Sequence, residues 1–325
     1  MNYDIVLHIG ANKTGSSAIQ RFVQKNRATL LNRGFAIPDR TLGWSDKVTG
    51  EHVFTLQSWI SNGYAPIEVE GFIEQLESTK PEGKTIFISA ENLSNLGSAK
   101  IFTPLSKRRV KVIFYIRRQD DIIASSWQQW HSKVQSEFDA WLINALQSIG
   151  HWEQVINDWA EIVGRDNIDV AIFDREEFHD GDILKDFVTR LELDPEDLAW
   201  DYSFSESNPS FSDIITPLVA GNTSIFSDVH DNEFYKIVQE FTGTSYSKRK
   251  KVSLMTRVQR DNIFNYFKDQ NERIKKQHFP NRKHLFKPID HNKYNYLTED
   301  EIKDEQLRFL TEFVYQLAKR IKDMS

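Results

Sequence analysis

The chain has 325 residues, with 41 Lys and Arg against 47 Asp and Glu, a net charge of −6 and no cysteine. At about 150 residues per domain this is one large domain or two ordinary ones, long enough to bury roughly three quarters of its unfolded surface without covalent staples. The missing cysteines exclude disulfides, thiolate zinc sites, iron–sulfur clusters and a cysteine nucleophile and permit a reducing compartment, while the acidic balance argues against a surface coated for nucleic acid.

In chain order, Tyr3–Ile9 reads as a buried strand and Ser16–Arg27 as a helix with Ile19, Phe22 and Val23 on one face. Gly34–Ile37 reads as a short strand closed by Pro38, Ile67–Ser78 as an amphipathic helix, and Lys84–Ala90 and Val110–Ile116 as strands. A helix over Asp120–Lys133 follows, then the helix Trp152–Val163, the strand Ile168–Phe173 and the helix Ile183–Leu191. Strands alternating with helices predict a parallel sheet covered on both faces. Asp201–Ser212, rich in Ser with one Asn and one Pro, reads as a linker or loop. Beyond it the pattern is helical, over Asp213–Val219, Asn232–Thr242, one long segment Leu254–Gln277, and Glu299–Lys322. The expected organisation is a single domain over 1–325, with an α/β core at 1–200 and a helical extension at 201–325 packed on it. The apolar stretch Ile5–Ile9 is too short for a signal h-region and lacks a basic flank. No run of about 18 apolar residues occurs, so a cytoplasmic location is expected, with peripheral membrane contact left open.

The first strand leads into Gly10-Ala11-Asn12-Lys13-Thr14-Gly15-Ser16-Ser17 and then a helix. Two glycines five apart let successive N–H groups turn inward, and the helix N-terminus adds a positive dipole end, making an anion cradle. The same glycines would also serve a plain strand-to-helix turn. In the nucleotide-triphosphate loop, Lys directly follows the second glycine; here Lys13 lies inside the loop and Ser16-Ser17 follow Gly15. The next strands end in Ala90-Glu91 and Ile116-Arg117 rather than in Asp. A magnesium-dependent P-loop kinase or ATPase is therefore disfavoured, and a non-catalytic anion-binding module is the other alternative.

At the end of the third long strand, Arg117 stands where ligands bind in open α/β sheets, and Ser125 follows eight residues later on the next helix. An Arg fork and a hydroxyl can converge on one phosphate. The bland alternative pairs Arg117 and Arg118 with Asp120 and Asp121.

His8–Gln20 (HIGANKTGSSAIQ) resembles the 5′-phosphosulfate loop of sulfotransferases that use 3′-phosphoadenosine 5′-phosphosulfate (PAPS), close to K-[TS]-G-T-[TS], and Arg117…Ser125 resembles that family's 3′-phosphate motif. Asn208-Pro209-Ser210 and Leu254–Phe286 look like segments of the bacterial, carbohydrate-directed branch, so the resemblance covers most of Met1–Phe286. Two departures are Ser16-Ser17 where Thr is more usual, which keeps the hydroxyls, and Arg118-Gln119 where many members carry Asp-Pro. The resemblance implies a PAPS site at Gly10, Asn12, Lys13, Thr14, Gly15, Ser16, Ser17, Arg117 and Ser125. It implies sulfuryl transfer to a hydroxyl or amine, the product adenosine 3′,5′-bisphosphate, and no required metal. Positioning and charge stabilisation dominate such chemistry, with Lys13 acting on the bridging oxygen.

An acceptor hydroxyl needs a base. Glu91 directly follows a strand, and Ser89–Ser94 resembles the strand-end segment whose Glu is the proposed base of the carbohydrate branch; nearby anions would raise its pKa. The alternative is that Glu91 charges the start of the next helix. His52 is the rival base or acceptor-binding group, since some members of the wider family use a histidine. His278, His284 and His291 show no ligand spacing, and no metal site is assigned. Ser245–Lys293 holds fourteen Lys and Arg against four acids, +10 set against −16 elsewhere, and suits a solvated face, an anionic ligand, or nucleic acid or an anionic membrane. Trp127 and Trp130, on the helix that carries Ser125, suit either stacking on adenine or a sugar or a place in the core. The acceptor expected by analogy is a carbohydrate or other hydroxyl-bearing compound, with no nucleic-acid partner.

Overall fold

A computed structural model describes residues 2–44, 52–203, 214–242 and 252–324. The strands are β1 Ile5–His8, β2 Phe35–Ala36, β3 Thr85–Ser89, β4 Val110–Ile116 and β5 Ile168–Ile172. The helices begin with α1 Ser16–Lys25, α2 Arg27–Asn32, α3 Val53–Ser61, α4 Pro66–Thr79, α5 Gln119–Gln129, α6 Phe138–Ser148, α7 Trp152–Val163 and α8 Ile183–Arg190. They continue with α9 Ile215–Val219, α10 Glu233–Thr242, α11 Arg257–Tyr266, α12 Lys268–His278 and α13 Glu299–Met324. None of the described helices is long and apolar enough to cross a membrane.

The chain groups into two compact units. The first comprises Met1–Arg118, His151–Ser205 and Asp269–Phe286; the second comprises Gln119–Gly150, Glu206–Lys268 and Lys287–Ser325. Neither unit is continuous in sequence, and the segment carrying α5 and α6 groups with the helical C-terminal part.

In the first unit the strands pair in parallel, in the order β2-β3-β1-β4-β5. This is the expected α/β class. Strands that are apolar almost throughout must be covered on both faces. On one face Val6, Phe87, Ile113 and Tyr115 form a core with Ile19, Phe22 and Val23 of α1 and Phe187 and Val188 of α8. Full burial of a residue such as Phe22 contributes about 1.5–3 kcal/mol. On the other face α7 lies against β4 and β5, with Trp152 edge-on to Phe114 and Trp159 stacked on Phe102.

Local chemistry sets the helix ends. Pro66 opens α4, where the Glu68 carboxylate accepts from the Ala65 N–H. Asp182 caps α8 through the Leu184 N–H, and Thr256 with Gln259 forms a reciprocal cap on α11.

Some expected elements differ. The single helix over Leu254–Gln277 is broken at Phe267, whose backbone leaves helical geometry at φ −91° and ψ 5°, and it starts only after the Thr256 cap. The helix over Asp120–Lys133 stops at Gln129, and Trp130, off helical geometry, leads into a 3₁₀ turn at His131–Lys133. Helix α6 and the 3₁₀ segment Ser98–Lys107 were not anticipated.

In the second unit, Arg260 is buried against Asp120, with Nη1 donating at 2.6 Å, and its guanidinium lies 3.8 Å from the centre of the Tyr294 ring.

Candidate functional site

The strand order places three strand ends side by side. The chain enters β1, later lays β3 on one side of it, then crosses to lay β4 on the other. The C-terminal end of β1 is thus the topological switch point, where open α/β sheets bind their ligands. Glu91 follows β3, the loop 10–17 follows β1, and Arg117 follows β4.

The loop is tightly wound. The Thr14 N–H and hydroxyl both donate to the Ala11 carbonyl, the hydroxyl at 2.6 Å. Lys13 has φ 63° and Gly15 φ 77°. For Lys13 the left-handed region costs roughly 1–2 kcal/mol, so surrounding contacts must hold it there. One is visible: Arg117 Nη1 donates to the Lys13 carbonyl at 3.0 Å. Arg117 is itself fixed, with its guanidinium 5.6 Å from the centre of the Phe173 ring and its own carbonyl accepting from Trp152 Nε1 at 2.8 Å.

Gly15 occupies the cap position of α1, with no side chain to accept from the first turn. Helix geometry leaves the leading N–H groups, at Ser16 and Ser17, without intrahelical acceptors. Together with the dipole they form a donor set suited to an anion. A Cβ on Gly15 would lie 2.4 Å from Ile183 Cδ1. Asn12 and Lys13 are half-buried at the turn, and Ser17, also half-buried, gives its carbonyl to Arg21 Nε. Glu91 reaches the same helix end, where its carboxylate accepts from the Ser16 hydroxyl. The Ser94 hydroxyl donates to the Glu91 carbonyl at 2.7 Å and reaches the Gly10 carbonyl at 3.4 Å. Lys13, Ser16, Glu91 and Arg117 are therefore gathered at one strand-end edge.

Beneath the loop lies a polar layer that sequence reasoning missed. His8 is fully buried; its Nδ1 is 2.8 Å from Ser89 Oγ, and Gln20 Nε2 approaches the same oxygen at 3.4 Å. His8 Nε2 has no hydrogen-bond partner among the described residues, and the ring lies 2.9 Å from where a Cβ on Gly10 would be, so a side chain there would have to displace this buried ring. Burial pushes the His8 pKa down to about 3, leaving the ring neutral. The available signal was its position, two residues before the first glycine.

His52 is not a free base. Its Nδ1 accepts from the Ser89 N–H at 3.0 Å, and its Nε2, 3.0 Å from the Pro38 carbonyl, donates to it. Both ring nitrogens are used by backbone, and burial lowers its pKa against the upward pull of those bonds and of Asp39. His52 clips the end of β3 to the segment after β2.

Ser125 lies on α5 in the second unit, half-buried, so the first unit does not itself contain it. Trp127 is core, packed among Phe138 and Trp141. Of the basic segment, Arg273 and Arg282 pair with Glu153 and Glu177 in the first unit, and Lys275 pairs with Glu272. Asn208–Ser210 and Lys248–Lys251 lie outside the described residues.

No protein-family model matches the chain. An uncharacterised protein of Archaeoglobus fulgidus is 25% identical over 243 residues, which is 71% of this chain and 64% of the relative, so the match spans less than two thirds of the relative's length. Among solved structures, a sulfotransferase from Alicyclobacillus acidocaldarius overlaps 62% of this chain and 86% of its own at 15% identity and a TM-score of 0.38. Mouse sulfotransferase SULT7A1 complexed with PAP overlaps 76% and 86% at 15% identity and a TM-score of 0.37. The sulfotransferase domain of the Synechococcus PCC 7002 olefin synthase overlaps 81% and 94% at 12% identity and a TM-score of 0.32. These superpositions are partial, with every TM-score below 0.5.

Proposed function

We propose that this chain is a PAPS-dependent sulfotransferase acting on a hydroxyl or amine, with a carbohydrate as the acceptor class. The observation that carries the reading is the strained, side-chain-uncapped loop at the switch point, with Lys13 in it, Arg117 bound to its backbone and the Glu91 carboxylate at its helix end.

The residues present fit an anionic donor. The N–H groups at the start of α1 and the Ser16 and Ser17 hydroxyls would hold its 5′-phosphosulfate, with Arg117 holding its 3′-phosphate. PAPS supplies an activated sulfuryl group whose departure leaves charge on a phosphate oxygen. Lys13 and the α1 N-terminus stabilise that charge. Glu91 accepts the proton released as the acceptor oxygen bonds to sulfur, and a bound anion beside its carboxylate raises its pKa toward base work.

Calorimetric titration with adenosine 3′,5′-bisphosphate, with magnesium-ATP as competitor, tests the reading. Binding without magnesium is expected, and Lys13→Ala and Arg117→Ala should each weaken it about 10- to 100-fold, the worth of one charge-assisted contact. Unchanged affinity in both variants, or binding of magnesium-ATP alone, overturns it.

A further inference from the structure

Helix α13 carries apolar residues on two neighbouring faces. One face is used within the second unit: Phe309 is 1% exposed, Phe313 packs against it, and Phe309 joins Ile215 and Val238 in a small core. Phe241 of α10 meets Phe313 edge-on, Arg320 pairs with Glu240, and Gln306 Nε2 donates to the Ile214 carbonyl. The second face is Leu307, Leu310, Val314 and Leu317, spaced three, four and three residues apart, with Ile321 continuing the register. That is the a/d spacing of a coiled-coil seam. Leu307 is 65% exposed, Leu310 40% and Val314 61%. Thr311 and Ala318 flank the seam and are small enough for another helix to come close. Single exposed apolar residues need no explanation, but a continuous stripe at heptad spacing on a long helix marks a contact surface.

The charges on the same helix identify the occupant. Glu299, Asp300, Glu301, Asp304 and Glu305 crowd its start against Lys303 alone, and Lys319, Arg320 and Lys322 its end against Asp323 alone. This distribution suits the helix dipole, and it also makes the helix complementary to a reversed copy of itself. Two copies of α13 laid antiparallel set each acidic start beside the other's basic end, while a parallel pair sets like beside like. A membrane is a poorer fit, because the surface opposite the seam mixes Glu301, Glu305 and Glu312 with Arg308 and Lys319 and is not the basic face that an anionic surface attracts. We infer that the chain forms a two-fold dimer through an antiparallel pairing of α13 along Leu307, Leu310, Val314 and Leu317. Such an interface is isologous and closes on itself.

Sedimentation velocity of the full chain over a concentration series is the test. The average mass should rise from 38.0 kDa toward twice that value. Leu307→Asp/Val314→Asp, at exposed positions, should stay monomeric with unchanged circular dichroism and should melt like the wild-type chain at concentrations too low for dimerisation. A chain that is monomeric throughout, or a dimer that this variant fails to disperse, overturns the proposal, and so does flotation of the chain with phosphatidylserine vesicles in place of dimerisation. Cross-linking keeps the test open should that variant unfold. The chain has no native cysteine, so Leu307→Cys and Leu317→Cys report orientation directly. On oxidation a mixture of the two should give the mixed disulfide dimer, and each alone should give little. Efficient dimers from each variant alone overturn the antiparallel pairing.

Discussion

Ser89 is the joint on which the candidate site rests. Its N–H and carbonyl hold His52, and its hydroxyl meets His8 and Gln20. Lys13, Arg117 and Glu91 were legible as candidates because each stands at or just beyond a strand end, a position that sequence patterning locates. His8 and Ser89 were not, because a polar residue inside a buried strand gives no periodic signal and its partner lies 81 residues away. The two candidate bases separate by experiment. Glu91→Gln keeps an acceptor for the Ser16 hydroxyl, so melting should hold while sulfuryl transfer falls about 100- to 10,000-fold, the usual worth of a general base. His52→Ala strands a buried N–H and a buried carbonyl, each costing about 1–3 kcal/mol, so the melting temperature should drop. Retained transfer in Glu91→Gln, or unchanged melting of His52→Ala with activity lost, reverses the assignment.

At the scale of elements, the start of α1 matters most. Gly15 is needed for its left-handed backbone, and a Cβ there would also have to push aside the Ile183 side-chain tip. Gly15→Ala should therefore lower stability by about 1–2 kcal/mol from the backbone alone and weaken adenosine 3′,5′-bisphosphate binding by disturbing the α1 donors. Denaturation and titration of the same sample check both, and a variant with unchanged stability removes the strain argument. The glycine spacing made this element readable, and long apolar runs did the same for β1, β3 and β4. Helix α6 was missed although Trp141, Leu142 and Ala145 share its buried face. The 3₁₀ segment Ser98–Lys107, interrupted by Pro104, lacks the 3.6-residue period that marks an α-helix. The break at Phe267 was invisible because neither glycine nor proline marks it.

For the whole molecule, buried histidines tie stability to acid. Unfolded, His8 titrates near 6.5; folded, burial holds it at about 3, and His52 is displaced the same way. The unfolded chain takes up protons that the folded one refuses, so this contribution is complete above pH 6.5 and is lost as the pH falls toward 3. Urea midpoints should decline over that interval, with a shallower slope in His8→Gln; an identical slope would remove His8 from the account. Short-range periodicity and glycine spacing sufficed for the α/β class, for the two-glycine loop after β1 and for the strand-end positions of Lys13, Glu91 and Arg117. Folding in three dimensions was needed to set β1 between β3 and β4, to bring Ser16 to Glu91, to engage both nitrogens of His52 with backbone, and to group the chain segments discontinuously. Those outcomes depend on strand order and on contacts between residues tens of positions apart, which no local pattern encodes.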